Sequence, residues 1–126
     1  RLVYNDCANS FTKEGIDLPF LRFKGFAKQD IEPISQILIE EFSKNAEVAQ
    51  EKVKLELLQV EQLTNSPLSV EIMMFPREQK QHDAIASAVH GILKKQGFLH
   101  VHIFFILLSP TLYYKEGLPL QVGIAK

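Results

Sequence analysis

Two histidines, His100 and His102, stand two residues apart at the start of an apolar run near the end of the chain. Side chains two residues apart on a β-strand share one face, so this pair could offer two nitrogen ligands to a metal ion. A zinc site needs at least three protein ligands, and the neighbouring sequence supplies no obvious third. We therefore expect no metal, and we interpret both histidines as polar residues of a pocket or an interface.

Arg77 is a second candidate, because a planar guanidinium binds a carboxylate through two parallel hydrogen bonds. It stands before a predicted helix, where a cation is slightly unfavourable for the helix dipole, which favours a functional interpretation.

Cys7 has no paired base in the sequence, and neither a glycine-rich phosphate loop nor a serine nucleophile motif occurs. His82 and His90 lie on the predicted helix and are expected to be solvent-exposed.

The composition is that of an ordinary soluble domain. With 126 residues and a formal net charge of -1, the chain has the length of one domain and no basic excess for nucleic acid. The longest apolar run, Val101 to Leu108, is too short to cross a bilayer. The only cysteine excludes an internal disulfide and favours a cytoplasmic location. We expect no cofactor, no nucleic acid and no membrane partner.

Period-two alternation of apolar and polar residues predicts strands, and period 3.6 predicts helices. The predicted strands are a run from Phe20 that ends near Gly25, Lys52 to Glu61, Leu68 to Phe75, and His100 to Leu108. The first helix has Ile31, Ile34, Leu38 and Phe42 on one face, Asp30 as its N-cap and an end near Lys44. The second runs from Glu78 to Gln96, with Gly97 just after its C-terminus. Thr111 to Lys126 is expected to be a loop with a short edge strand.

These elements predict an α+β domain over residues 19–126, with both helices on one face of a four-stranded sheet. Residues 1–18 show no sustained period and are interpreted as a leader outside the native fold. Two topologies fit the order of the elements: a ferredoxin-like split βαβ sandwich, or two parallel βαβ units side by side with a mixed sheet.

The sheet face that the helices leave open is mixed in character. Alternation places Phe20, Phe26, Phe104 and Ile106 on it, together with charged residues such as Arg22 and Glu71. A face this apolar usually docks on another sheet, so an oligomer is favoured over a monomer.

Three segments in order resemble the tautomerase superfamily, the group of 4-oxalocrotonate tautomerase and macrophage migration inhibitory factor. They are Pro19-Phe20-Leu21-Arg22-Phe23, then Phe75-Pro76-Arg77-Glu78-Gln79 with Asp83, and then Tyr113-Tyr114-Lys115-Glu116-Gly117. The chain looks most like a family of small uncharacterised bacterial proteins within that superfamily. The resemblance covers Pro19 to about Gly117 and implies a homotrimer with active sites at subunit boundaries.

The resemblance also implies catalysis by an amino-terminal proline, which Pro19 matches. In a partly apolar pocket a chain-terminal secondary amine stays neutral near neutral pH, so it can move a proton beside a carbonyl group. Arg77 would then bind the carboxylate or the enolate oxygen of a small keto or enol acid. The remaining site residues implied by the resemblance are pocket-wall, rim and neighbouring-subunit residues: Met73, Met74, Phe75, Gln79, His100, His102, Tyr113 and Tyr114.

One feature departs from the superfamily pattern. Leu18 precedes Pro19, and an amide nitrogen has no basic lone pair. We expect translation to start at a leucine-type codon at position 18, with residue 18 then removed; cleavage of a leader or loss of the chemistry are the alternatives. The leading functional hypothesis is a keto-enol tautomerase or isomerase. The alternatives are a non-catalytic oligomeric binding or interaction protein with the same fold, and a ferredoxin-like domain that binds a small molecule.

Overall fold

Four strands form one mixed sheet in the computed structural model, which describes residues 18–120. They are β1 (Phe20–Lys24), β2 (Lys54–Leu58), β3 (Leu68–Met74) and β4 (Val101–Leu107). The order across the sheet is β2-β1-β3-β4, with β1 parallel to β2, antiparallel to β3, and β3 parallel to β4. The two strands of each βαβ unit are therefore direct neighbours, which excludes the ferredoxin-like split arrangement, in which another strand lies between them.

The first helical segment begins earlier than predicted. It consists of α1 (Lys28–Ile31), a 3-10 turn (Glu32–Ile34) and α2 (Ser35–Ala46). The prediction of Asp30 as N-cap is wrong, because Ala27 holds that position and Asp30 lies in the first turn. Pro33 lies within the 3-10 turn, and a proline cannot donate the backbone hydrogen bond that a continuous α-helix needs there.

The second helix, α3 (Gln79–Lys95), lies within one residue of its predicted bounds at both ends. Gly97 follows its C-cap with φ +95°, a conformation that glycine adopts without a Cβ clash, and its N–H donates to the Lys94 carbonyl at 2.9 Å. The predicted glycine stop is confirmed.

The core lies between the helices and one face of the sheet. Residues of β1, β3, α2 and α3 are fully buried in this core, among them Leu21, Phe23, Val70, Ile72, Leu38, Phe42, Ile85, Val89 and Leu93. Phe26 belongs to this core and not to the open face, because Gly25 (φ +91°) turns the chain after β1. The Phe26 ring makes edge contacts with Phe23 and Phe98 at centroid distances of 5.7 and 5.3 Å.

The open face carries two cross-strand ion pairs, Arg22–Glu56 at 3.0 Å and Lys24–Glu71 at 3.1 Å. Beside them Phe104 and Ile106 are 43% and 38% exposed in the single chain. Apart from Phe26, the mixed apolar and charged character predicted for this face is confirmed.

After β4 the chain forms a 3-10 turn (Pro110–Leu112) and a small hairpin of β5 (Tyr114–Lys115) and β6 (Leu118–Pro119). These strands pair with each other and not with the main sheet. The prediction of an edge strand after β4 is therefore wrong for the residues described, which end at residue 120. No described helix is long and apolar enough to cross a membrane.

Candidate functional site

Pro19 lies directly before β1 and is fully buried. Its carbonyl oxygen accepts a hydrogen bond from the Lys54 N–H at 3.0 Å, which joins it to β2. The antiparallel register pairs Phe20 with Met73, so continuing it places Pro19 opposite Met74 and Leu18 opposite Phe75. The start of β1 and the end of β3 therefore meet here, as the resemblance implied.

A small apolar group separate from the main core surrounds this point, and we call it the Leu18 cluster. Leu18 and Phe75 are its buried members, 5% and 6% exposed. The partly buried residues packed against them are Phe20, Leu108, Tyr113 and Leu120. The rings of Phe75 and Tyr113 meet edge to face at 5.9 Å. The Leu108 N–H donates to the Met74 carbonyl at 2.9 Å and so ties the segment after β4 to the end of β3.

Met73 and Met74, both predicted as pocket walls, lie on opposite faces of β3. Met74 is buried in the core beneath the helices, while half-buried Met73 pairs with Phe20 on the open face. Alternation along a strand separates them, so only one of the two can wall a pocket on a given face.

Arg77 lies between β3 and α3, and its guanidinium is directed at backbone carbonyls. Nε donates to the Ala46 carbonyl at 3.3 Å, and Nη1 donates to the carbonyl of Phe75 at 3.1 Å. Ala46 is the last residue of α2, where the final carbonyls lack helical partners and a cation is favourable. The positive charge of Arg77 is therefore unfavourable for the dipole of α3 but favourable for the dipole of α2. Burial lowers the pKa of the Arg77 guanidinium, and the Glu47 carboxylate acts in the opposite direction.

His82 is buried, at 8% exposed, so the expectation of a solvent-exposed side chain is wrong. Its Nε2 accepts a hydrogen bond from the Arg77 N–H at 3.0 Å, and its ring meets Phe105 edge to face at 4.4 Å. Nδ1 is buried without a hydrogen-bond partner among the described residues. The segment that carries Arg77 is thus held from both sides, by α2 through the guanidinium and by His82 through the backbone.

Several predicted site residues lie away from Pro19 within the chain. His102 pairs with Ser69, which in turn faces Lys24, at the far end of β1 from Pro19, and exposed His100 stands just before β4. The Gln79 amide donates to the Asp83 carboxylate at 2.9 Å on the exposed first turn of α3. Tyr114 is exposed in the hairpin. Of the predicted set, Phe75 and Tyr113 lie in the Leu18 cluster, and Arg77 reaches it through the Phe75 backbone.

A concavity of about 310 Å³ lies at that far end of the sheet. Its lining includes Lys24, Ser69, His102, Phe104 and the exposed loop at residues 60–67. Among residues 18–120 no three potential metal-ligating side chains come together.

Sequence reasoning missed Leu18, Leu108 and Leu120 as members of the site. Each is an ordinary leucine with no motif of its own, and only the pairing of β1 with β3 brings Leu18 to Phe75. The expected leader falls almost wholly outside the described residues, as does Cys7, and Leu18 is the one residue of that segment whose position is described.

The comparisons with known proteins identify the family. The DUF1904 family, a domain of unknown function, matches residues 18–119. The chain belongs to the DUF1904 family. No protein with curated annotation matches the chain.

Solved structures carry the same fold. A protein of unknown function from Vibrio cholerae O1 biovar eltor str. N16961 is 24% identical with a TM-score of 0.78, over 94% of this chain and 98% of that one. A DUF1904 domain from Sebaldella termitidis ATCC 33386 is 23% identical with a TM-score of 0.73, over 80% and 98%. A fused 4-oxalocrotonate tautomerase described as an asymmetric trimer has a TM-score of 0.67 at 11% identity, over 81% and 96%. The DUF1904 chain therefore has the tautomerase-superfamily fold, as the sequence predicts.

Proposed function

We propose that this DUF1904 protein is a tautomerase or isomerase-like enzyme for a small keto or enol acid, with Pro19 as its general base once Pro19 is the chain terminus. The observation that carries the proposal is the position of Pro19, fully buried at the start of β1 beside an apolar cluster. Apolar surroundings disfavour the ammonium form of an amine, so a free proline there would be neutral and able to accept a proton.

The reaction follows from that nitrogen. The secondary amine removes a proton from the carbon next to the carbonyl group and returns it to the carbonyl oxygen to give the enol, or carries the proton from the enol hydroxyl back to that carbon. Arg77 is the proposed partner of the carboxylate or enolate oxygen. Nε donates to the Ala46 carbonyl and Nη1 donates to the carbonyls of Phe75 and Pro76, the last at 3.5 Å. No described residue accepts from Nη2, so two of the five N–H donors remain for a ligand.

The chemistry requires that residues 1–18 be absent from the working enzyme, which we propose as well. Every buried residue of the main core cluster comes after Pro19, so a chain that starts at Pro19 keeps that core. Mass spectrometry of the protein from its native source tests the point, and finding residues 1–17 still attached would reject it.

The functional test compares the full chain with a chain that starts at Pro19, in the ketonisation of phenylenolpyruvate followed by ultraviolet absorbance. We expect acceleration only by the Pro19 chain, and a loss of about 10²–10⁴-fold on Pro19→Ala. Circular dichroism confirms that both chains are folded. Equal rates with the two chains would reject proline catalysis.

We further propose a homotrimer in which the open sheet faces pack together, since Phe104 and Ile106 are too apolar for a permanently hydrated face. Burial of four or five such side chains contributes about 1.5–3 kcal/mol each before the costs of association. In this arrangement His100 and His102 are proposed to reach a neighbouring protomer. Sedimentation velocity checks the mass, and a concentration-independent monomer would contradict the proposal.

The second candidate is an oligomeric binding or interaction protein without catalysis. The observation that favours it is the amide bond between Leu18 and Pro19, together with the engagement of Arg77 by backbone carbonyls. This second candidate predicts a trimer that binds small carboxylates, with no rate enhancement from the full chain or from the chain that starts at Pro19.

We also propose a cytoplasmic location, which fractionation of cells of the native source would test.

A further inference from the structure

The side chain of Leu18 is buried in an apolar cluster. It is 5% exposed and shares the cluster with buried Phe75, and the partly buried side chains packed against the two are those of Phe20, Leu108, Tyr113 and Leu120. A leucine side chain in such surroundings contributes stability in proportion to the apolar area that it buries. The Leu18 cluster is therefore built around an isobutyl group.

This site lies directly beside the Pro19 nitrogen, which is the atom proposed to react. The backbone carbonyl of Leu18 is bonded to the nitrogen of Pro19, so the isobutyl group hangs from the second atom away from it. If that bond is cut and Leu18 leaves, its side chain vacates a space lined by the same apolar groups. A substrate whose reacting carbon lies at the Pro19 nitrogen would then direct the group attached to that carbon into the vacated space.

We propose that the space filled by the Leu18 side chain is the substituent-binding subsite of the enzyme, and that it takes the branched alkyl group of a small 2-keto acid. This inference rests on the function proposed above. In the uncut chain Leu18 occupies the subsite itself, so residue 18 blocks the enzyme twice, by acylating the base and by filling the subsite.

The size of the site sets the expected selectivity. A substituent that matches the isobutyl group restores the contacts of Leu18, whereas a methyl group leaves a void whose lining loses its partner atoms. We therefore expect the Pro19 chain to bind 4-methyl-2-oxopentanoate at least about tenfold more tightly than pyruvate.

The first experiment uses the full chain and needs no catalysis. Leu18→Ala opens the site while Pro19 stays an amide, and isothermal titration calorimetry compares 4-methylpentan-2-one with acetone as neutral probes. We expect at least about a tenfold preference for the branched ketone in Leu18→Ala. We expect no such preference in the unmodified chain or in Leu63→Ala, whose leucine is 93% exposed. Equal affinities for the two ketones in a folded Leu18→Ala protein would overturn the subsite.

The second experiment uses the chain that starts at Pro19 and does not depend on the folding of Leu18→Ala. Leu108→Phe refills the vacated space from inside the cluster, while Leu107→Phe adds the same ring at an exposed neighbour. We expect Leu108→Phe to abolish the preference for 4-methyl-2-oxopentanoate over pyruvate, and Leu107→Phe to keep it. A preference that survives Leu108→Phe would overturn the subsite.

The two proposals can fail separately. A Pro19 chain that accelerates ketonisation but binds both keto acids equally well refutes the subsite and leaves the catalytic function standing. A Leu18→Ala protein that selects the branched ketone, together with an inactive Pro19 chain, supports the subsite and refutes proline catalysis.

Discussion

Replacing Arg77 by methionine tests whether this side chain holds the site in place. Methionine keeps much of the apolar stem and removes the donors of the guanidinium. The hydrogen bonds from Nε to the Ala46 carbonyl at 3.3 Å and from Nη1 to the Phe75 carbonyl at 3.1 Å are then lost. Ala46 ends α2 and Phe75 follows β3, so the substitution loosens the connection between the helical layer and the end of β3.

The magnitude follows from those contacts. A hydrogen bond from a charged donor contributes about 1.5–3 kcal/mol, and a cation at a helix C-terminus about 0.3–1 kcal/mol. Removal of the guanidinium also relieves the cost of burying it, which is the cause of its lowered pKa. We therefore expect the free energy of unfolding to fall by about 2 kcal/mol, short of the sum of the separate contributions.

Urea denaturation followed by circular dichroism measures this change. With a slope of about 1–3 kcal/mol per molar urea, the midpoint should fall by about 1 M. Arg77→Lys should lose about half as much, because a single ammonium group cannot reach two carbonyls with the geometry of a planar fork. Lys80→Met, at an exposed position on α3, is the control and should change the free energy by less than about 0.5 kcal/mol. If Arg77→Met and Lys80→Met unfold at the same urea concentration, the anchoring role is refuted.

Three further predictions have defined outcomes, the first two in the same urea titration and the third in sedimentation velocity. Gly25→Ala should destabilise by more than Gly97→Ala: both have a positive φ, at a cost of about 1–2 kcal/mol, but only at Gly25 would a Cβ lie 3.0 Å from Leu68 Cδ2. Equal losses would show that the Leu68 contact is without effect. Phe26→Ala should cost about 3 kcal/mol or more, since its ring packs on Phe23 and Phe98, and a loss below 1 kcal/mol would place Phe26 outside the core. Phe104→Glu should leave the unfolding of the dissociated chain nearly unchanged and reduce the sedimenting mass, whereas an unaltered mass would exclude Phe104 from the proposed interface.

Local sequence pattern predicts most of the secondary structure of this chain. The spacing of Ile34, Leu38 and Phe42 places them on one buried face of the first helical segment, and the end of α3 follows from Gly97 just after it. Such signals act within a few residues, through side-chain direction and backbone sterics, so they are readable without tertiary information. The resemblance added the fold, which the DUF1904 match and the solved structures bear out.

The prediction of Pro19 and Phe75 as neighbours came from the resemblance and not from any local signal. Their predicted roles in catalysis and binding stay predictions. Phe26 shows the limit of alternation, because one glycine at φ +91° ends the strand and sends the next ring into the core. Asp30 shows the limit of capping signals, because the helix had already begun two residues earlier.

Long-range pairing decided the rest. The same order of strands and helices fits two topologies, and only the parallel pairing of β1 with β2 and of β3 with β4 selects the order β2-β1-β3-β4. The contact from Arg77 to Ala46 spans 31 positions, and the meeting of Leu18 with Phe75 depends on the antiparallel register of β1 and β3. His82 is buried at a place where its ring meets Phe105 from β4. Contacts of this kind depend on where distant segments pack, and no local period in the chain encodes that position.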